Sequence, residues 1–182
     1  MPESDGLNLP DTVKDVGIAI GSVVIVFLLT FAYSGNWPPM VVIESGSMEH
    51  EDNPLYPEPR YSHIGIIDTG DLVVVKKAEK KDIVTYLEGK KTGYKKYGDY
   101  GDVIVYYKNG IETYNEQPVT PVIHRAMAWV DVLENGTYYI PEINLYFEGK
   151  IILSEIGLPD ATHSLSNLES SGYITKGDSY PG

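Results

Sequence analysis

The pattern of apolar and polar positions changes character once along this chain. Residues 16–33 form an unbroken apolar run without a charged side chain, and everything beyond is built of short apolar runs punctuated by Gly, Pro, Asn and Asp. At ~1.5 Å per residue, an apolar helix of roughly 20 residues crosses a bilayer core of about 30 Å. Tyr33 and Trp37 stand where aromatic rings settle at an interface, and Pro38-Pro39 cannot continue a helix. The pattern predicts a transmembrane helix over residues 16–37, preceded by a polar tail over residues 1–15. Ala32 and Ser34 are small enough for a signal-peptide cleavage site, but the preceding region is acidic and the run is long for such a segment. Lys14 is the one basic residue before Arg60, which places the amino terminus in the cytoplasm and the domain from residue 38 outside.

The rest reads as β structure. Residues 40–44 predict a strand running into Ser45-Gly46-Ser47-Met48, and the acidic, Pro-rich stretch 49–60 predicts a surface loop. Gly70-Asp71 is a turn signal before the β-branched run 72–75. Residues 76–101, rich in Lys, Gly and Tyr, read as an excursion from the sheet. Residues 102–107 predict a strand, Asn109-Gly110 a hairpin turn, and residues 111–114 its return arm. Further strands are predicted over 119–130, 136–140 and 173–176, the last ending in a turn at Gly177-Asp178. Residues 142–169 carry a strand signal at 151–153 and otherwise look like loop.

Composition agrees: 18 Gly, 12 Pro and 15 Tyr in 182 residues favour short strands and turns. The predicted class is mainly β, one amino-terminal transmembrane helix followed by a single β-rich domain over 38–182. A formal charge of −12 without a basic stripe argues against nucleic acid as a partner. The absence of cysteine excludes a thiol nucleophile, a disulfide framework and cysteine-ligated zinc. No metal or organic cofactor is suggested. Asn135-Gly136-Thr137 is a glycosylation sequon, meaningful only in an extracytoplasmic domain.

Candidate chemistry centres on Ser47. A serine hydroxyl becomes a nucleophile when a base within about 3 Å takes its proton, and that base is usually His or Lys. Of the four histidines, His50, His63 and His163 fall in polar loops. His124 lies inside an apolar strand, as either a base or a core histidine hydrogen-bonded to the backbone. Arg125 follows it on the opposite face of the strand and reads as structural. Asp178, in a Gly-Asp-Ser turn, could orient an imidazole or simply form the turn.

An apolar anchor, then Ser45-Gly46-Ser47-Met48, Gly70-Asp71-Leu72-Val73, Ile123-His124-Arg125-Ala126 and Gly177-Asp178-Ser179, in that order, resembles type I signal peptidases. The likeness is to the archaeal and endoplasmic-reticulum branch, in which His stands where bacterial enzymes carry a general-base Lys. It spans the anchor, most of residues 40–130 and residues 172–182.

The resemblance implies a β-rich signal-peptidase-like catalytic domain and a membrane-bound serine endopeptidase that removes signal peptides from secretory and membrane preproteins. Ser47 would be its nucleophile, His124 its general base and Asp178 the residue that orients or polarises His124. The Ser47 N–H, helped by the Ser45 hydroxyl, would form the oxyanion site, and Met48 would touch substrate or the bilayer surface. The partners implied are preproteins, the lipid bilayer and the translocation machinery, and the location is a single-pass protein of the cell or endoplasmic-reticulum membrane. The family's closing motif carries a second aspartate that would fall beyond Gly182, which implies a sequence truncated at its carboxyl end. A self-cleaving Ser/Lys protease of the repressor type fits neither the anchor nor His124. A membrane-anchored β module for assembly or adhesion, without catalysis, is the other reading.

Overall fold

The structure, a computed structural model, describes residues 10–49, 65–159 and 163–179. The predicted surface loop from His50 onward, His63, Arg60, most of the amino-terminal tail and the closing Pro181-Gly182 lie outside the described residues. The chain divides into two compact units. One holds α1, the start of β1 and Leu72–Lys77, and the other holds the rest.

In the first unit, α1 (Asp11–Ser34) has 24 residues, about 36 Å of helix, which is long and apolar enough to cross a membrane. None of its apolar window is buried within the protein. The helix begins earlier than the apolar pattern predicts because polar Asp11 and Lys14 pair at 3.2 Å across its first turn. It also ends earlier, since Gly35 takes a left-handed conformation (φ 66°) and returns its N–H to the Phe31 carbonyl. β1 (Met40–Val42) pairs with β2 (Leu72–Val74), and the strand that continues from β2 clasps the helix end: the Ser34 hydroxyl donates to the Val75 carbonyl and Lys77 N–H to the Ser34 carbonyl.

The second unit is β-rich and is organised by β8 (Val122–Val132), the longest strand at 11 residues. β5 (Val103–Tyr106) and β13 (Gly172–Lys176) both pair with it antiparallel, and β9 (Thr137–Ile140) and β10 (Leu145–Glu148) extend the sheet from its far end. Arg125, Ala126, Met127 and Ala128 are buried in succession, so this part of β8 is covered on both faces and reads in sequence as a continuous run rather than an alternation. Tyr86 and Leu87 pack with Met127, Val130, Ile140 and Ile151 to form the core. Each of the two isoleucines, wholly removed from water, contributes on the order of 1.5–3 kcal/mol.

Two predicted elements pair differently. Residues 111–114 are not the return arm of β5. Asn109 (φ 56°) and Gly110 (φ 69°) do adopt the left-handed conformations of a tight turn, but β5 pairs with β8. The reason is burial: Val103, Ile104 and Val105 meet Arg125, His124 and Ile123, a better match than the polar segment beyond the turn. A small separate hairpin, β6 (Thr113–Tyr114) with β7 (Gln117–Pro118), closes instead through left-handed Asn115 and Glu116.

The expected excursion over 76–101 contains a helix, α2 (Tyr86–Thr92), whose signals were present in the sequence. Thr85 accepts from Glu88 N–H at 3.3 Å as the amino-terminal cap, and Gly93 (φ 82°) ends the helix after Lys90-Lys91. The same segment then forms the hairpin β3 (Lys95–Lys96) with β4 (Asp99–Tyr100), turning through Tyr97 (φ 49°) and Gly98 (φ 84°). Asp102 braces these pieces, accepting from Val84 N–H and the Tyr94 hydroxyl, each at 2.8 Å. Burial and the Asp102 carboxylate push the Tyr94 phenol up to about 12. Within residues 142–169, where the pattern predicts one strand and otherwise loop, β11 (Lys150–Ile152) pairs with β12 (Ser164–Ser166).

Gly101 and Gly93 share φ 82° but differ in surroundings. A Cβ on Gly101 would lie 2.6 Å from Tyr86 N, whereas one on Gly93 meets nothing within 4 Å. Gly93→Ala should cost about 1 kcal/mol of left-handed strain, and Gly101→Ala a further ~1–3 kcal/mol of overpacking. Urea unfolding of the two variants in parallel checks this, with Gly101→Ala showing the much lower midpoint.

Candidate active site

Ser47 sits in a single 3-10 turn (Gly46–Met48) that follows the extended Ser45 and is held from three sides. Its hydroxyl donates to the Ile123 carbonyl of β8 at 3.3 Å. Its own carbonyl accepts from Ser179 N–H at 3.1 Å. The next residue, Met48, is 1% exposed and anchors the turn in the interior. Met48 is therefore packed within the domain and does not present its thioether to a substrate or a bilayer surface, as the sequence reading expected.

Ile123 and His124 share one peptide group, so the Ser47 hydroxyl rests against the backbone that carries the candidate base. In this arrangement the hydroxyl is bonded to that carbonyl, and the imidazole is not its acceptor. The Ser45 hydroxyl lies 3.2 Å from the Ser47 hydroxyl. The Ser47 N–H has no acceptor among the described residues.

His124 is half-buried on one face of the sheet. Cross-strand pairing puts Ile104 opposite it, and Tyr106 and Thr175 fall on the same face. Its Nδ1 stands 3.5 Å from the Thr175 hydroxyl, which shares a 2.7 Å hydrogen bond with the Tyr106 hydroxyl. The other ring nitrogen has no partner among the described residues. Burial lowers the His124 pKa below the usual 6.5, and the field of Asp178 opposes that only in part. The imidazole is thus neutral at pH 7, the form that accepts a proton.

Asp178 occupies the other side of β8. Its carboxylate receives Arg125 Nε–H at 2.9 Å on Oδ1 and a guanidinium N–H on Oδ2, a bidentate pair in which both side chains are almost wholly buried. The remaining guanidinium hydrogens are taken by carbonyls of the β3–β4 hairpin and its exit, among them Lys96 at 2.9 Å, Tyr97 at 3.1 Å and Gly101 at 3.0 Å. Asp178, expected to orient His124, is engaged by Arg125 and reaches the imidazole through its field, while Thr175 is the group at Nδ1.

Thr175 and Tyr106 are not singled out by the sequence, and Gly177 is legible there only as part of a turn. Gly177 has a specific need to be glycine: a Cβ there would lie 2.3 Å from the Ser47 carbonyl oxygen. Its position immediately before Asp178 was visible, but the partner it approaches is 130 residues away and could not be read from spacing. Among the described residues no group of three or more His, Asp or Glu side chains could hold a metal ion.

Removing one member of the buried pair should be costly. Asp178→Ala is expected to lose about 3–5 kcal/mol of stability by leaving the Arg125 charge without its counter-ion, whereas Asp178→Asn, which retains an acceptor, should lose less. Equilibrium unfolding in denaturant reads both. Gly177→Ala should leave the sheet folded while displacing Ser47, seen as shifted amide resonances of residues 45–48. Comparison with protein-family models, with curated proteins and with solved structures finds no match to this chain.

Proposed function

We propose that the chain is a membrane-bound serine endopeptidase of the type I signal peptidase kind, in which Ser47 attacks the peptide carbonyl that follows a signal sequence. The observation that carries this reading is the placement of the Ser47 hydroxyl on the peptide unit of a half-buried, neutral histidine, with an unengaged Ser47 N–H beside it. In this reading the Ser47 hydroxyl leaves the Ile123 carbonyl for a ring nitrogen of His124 when substrate is bound. Hydrogen bonds of this kind commonly tighten only once substrate is bound.

In this reading His124 removes the Ser47 proton as the tetrahedral adduct forms and returns it to the leaving amine. Thr175 and Tyr106 hold the ring, and the Ser47 N–H with the Ser45 hydroxyl receives the oxyanion. A helix long and apolar enough to cross a membrane supports a membrane placement for this reading: the nucleophile is 13 residues beyond Ser34, and that length of chain spans at most ~45 Å. Substrates cleaved by such a tethered group are polypeptides emerging at the bilayer surface, met at high effective concentration. The second reading, an anchored assembly module, draws on the engagement of Asp178 by Arg125, with no carboxylate bonded to the His124 ring among the described residues.

The test is cleavage of a secretory preprotein by the detergent-solubilised chain. Ser47→Ala and His124→Ala should each reduce the rate by about 10³-fold or more, with unchanged circular dichroism. Equal cleavage by wild type and Ser47→Ala would overturn the reading. Because burial lowers the His124 pKa, the rate should fall as pH drops with a midpoint below the ordinary 6.5 and change little between pH 8 and 7. A rate already halved at pH 7 would contradict the assignment of His124 as base.

A further inference from the structure

The β-rich unit holds a cleft of about 410 Å³ that shares no lining residue with the Ser47 site. Its walls are Trp129 of β8 and Tyr173 of β13, a cross-strand pair whose rings meet edge to face at 4.7 Å. Lys80, Glu88, Lys91 and Glu142 supply its charge.

The donors in this cleft have partners, though each lysine ammonium keeps further N–H groups. The Lys80 ammonium sits 3.7 Å from the centre of the Trp129 ring and 3.6 Å from Asp131. Lys91 donates to the Glu142 main-chain carbonyl. The Tyr173 hydroxyl donates to the Lys80 carbonyl at 3.1 Å, and the Trp129 indole N–H to Asp131 at 2.6 Å. Acceptor capacity is left over as well. Glu142 Oε1 takes the Trp129 backbone N–H at 2.7 Å, but Oε2 is buried without any hydrogen bond. The exposed Glu88 carboxylate has neither ion pair nor hydrogen bond among the described residues. A buried carboxylate oxygen without a donor carries an uncompensated desolvation cost that a donor brought by a ligand would relieve.

We propose that this cleft binds a primary ammonium group carried on an apolar stem, such as the side chain of a lysine in a peptide, with Glu142 and Glu88 as its counter-charges and Trp129 and Tyr173 as its walls. Aromatic faces and edges receive an alkyl stem and a cation together. A compact ammonium fits better than a guanidinium, because Glu142 offers a single free oxygen and no parallel pair for a planar fork. The reach of the two carboxylates is visible in Tyr173, whose phenol is held above its ordinary pKa by burial first and then by the fields of Glu142 and Glu88. Entry of the ligand requires Lys91, an exposed and flexible side chain at the Glu142 carbonyl, to swing aside.

The experiment is a fluorescence titration of the full chain in detergent carrying Trp37→Phe, which leaves Trp129 as the single indole. The probes are Nα-acetyl-lysine methylamide, norleucine methylamide with its free α-ammonium, the neutral Nα-acetylnorleucine methylamide, and Nα-acetyl-arginine methylamide. A saturable change with an ammonium probe is expected, the first two distinguishing a side-chain from a terminal source. The neutral probe should give none and the arginine probe weaker binding. Glu142→Gln should weaken the ammonium probe at least about tenfold, the loss of a charged hydrogen bond. Glu88→Gln, at an exposed position, provides a second reading should Glu142→Gln perturb the fold. No saturable response to either ammonium probe, an equal response to the neutral or arginine probe, or unchanged affinity in both variants would overturn the proposal. None of these outcomes depends on whether Ser47 is catalytic.

Discussion

A guanidinium removed from water is tolerable only where every one of its hydrogens finds an acceptor, and Arg125 meets that condition at the centre of the β-rich unit. At 1% exposure it is fully withdrawn, and it is satisfied by Asp178 on one side and by the carbonyls of residues 96–101 on the other. The interaction joins three segments far apart in sequence: β8, the β3–β4 hairpin and the turn after β13. Such a pair adds little net stability compared with a well-packed apolar replacement, but breaking it is expensive, so it acts as a strict condition on how those segments meet. The left-handed conformations of Tyr97 and Gly98 serve that condition, since they curl the hairpin so that its carbonyls converge.

The consequence reaches the candidate nucleophile through covalent connection. Asp178 fixes the turn that contains Gly177 and Ser179. Gly177 lies flush against the Ser47 carbonyl and Ser179 N–H bonds to it. On the opposite face of β8, His124 is neutral because burial outweighs the pull of the same aspartate. One strand thus carries a permanently charged residue and a neutral titratable one at adjacent positions, each kept in its state by what covers its own face. The charged member, through Asp178, holds the turn against which Ser47 packs.

The cleft at Trp129 rests on the same strand four residues beyond Arg125. Its aromatic walls come from a register in which Trp129 faces Tyr173, and that register follows a bulge between Ile174 and Thr175. Thr175 consequently lies opposite Ala126, on the face where it reaches His124, while Tyr173 remains opposite Trp129. A single irregularity in β13 therefore serves both the histidine and the cleft.

The sequence alone determined those features whose signal is local. The apolar run without charge made α1 legible, the β-branched and Gly/Asn-punctuated pattern made the β-rich class and the position of β8 legible, Ser47 stood out in Ser-Gly-Ser-Met just beyond the apolar run, and His124 stood out as a histidine inside an apolar strand. Arg125 was legible as structural because strand alternation sets it opposite His124. Tertiary structure decided what depends on non-local partners. It assigned β5 to β8 over a nearby but polar return arm, because apolar burial outweighs turn proximity. It gave Asp178 to Arg125 and Thr175 to His124, because register and bulge fix which side chains share a face. It turned Met48 into the interior, and it required Gly177 to be glycine because a carbonyl from residue 47 passes within contact distance. Local pattern specifies elements, whereas the choice of partner is set by burial and register across the whole unit.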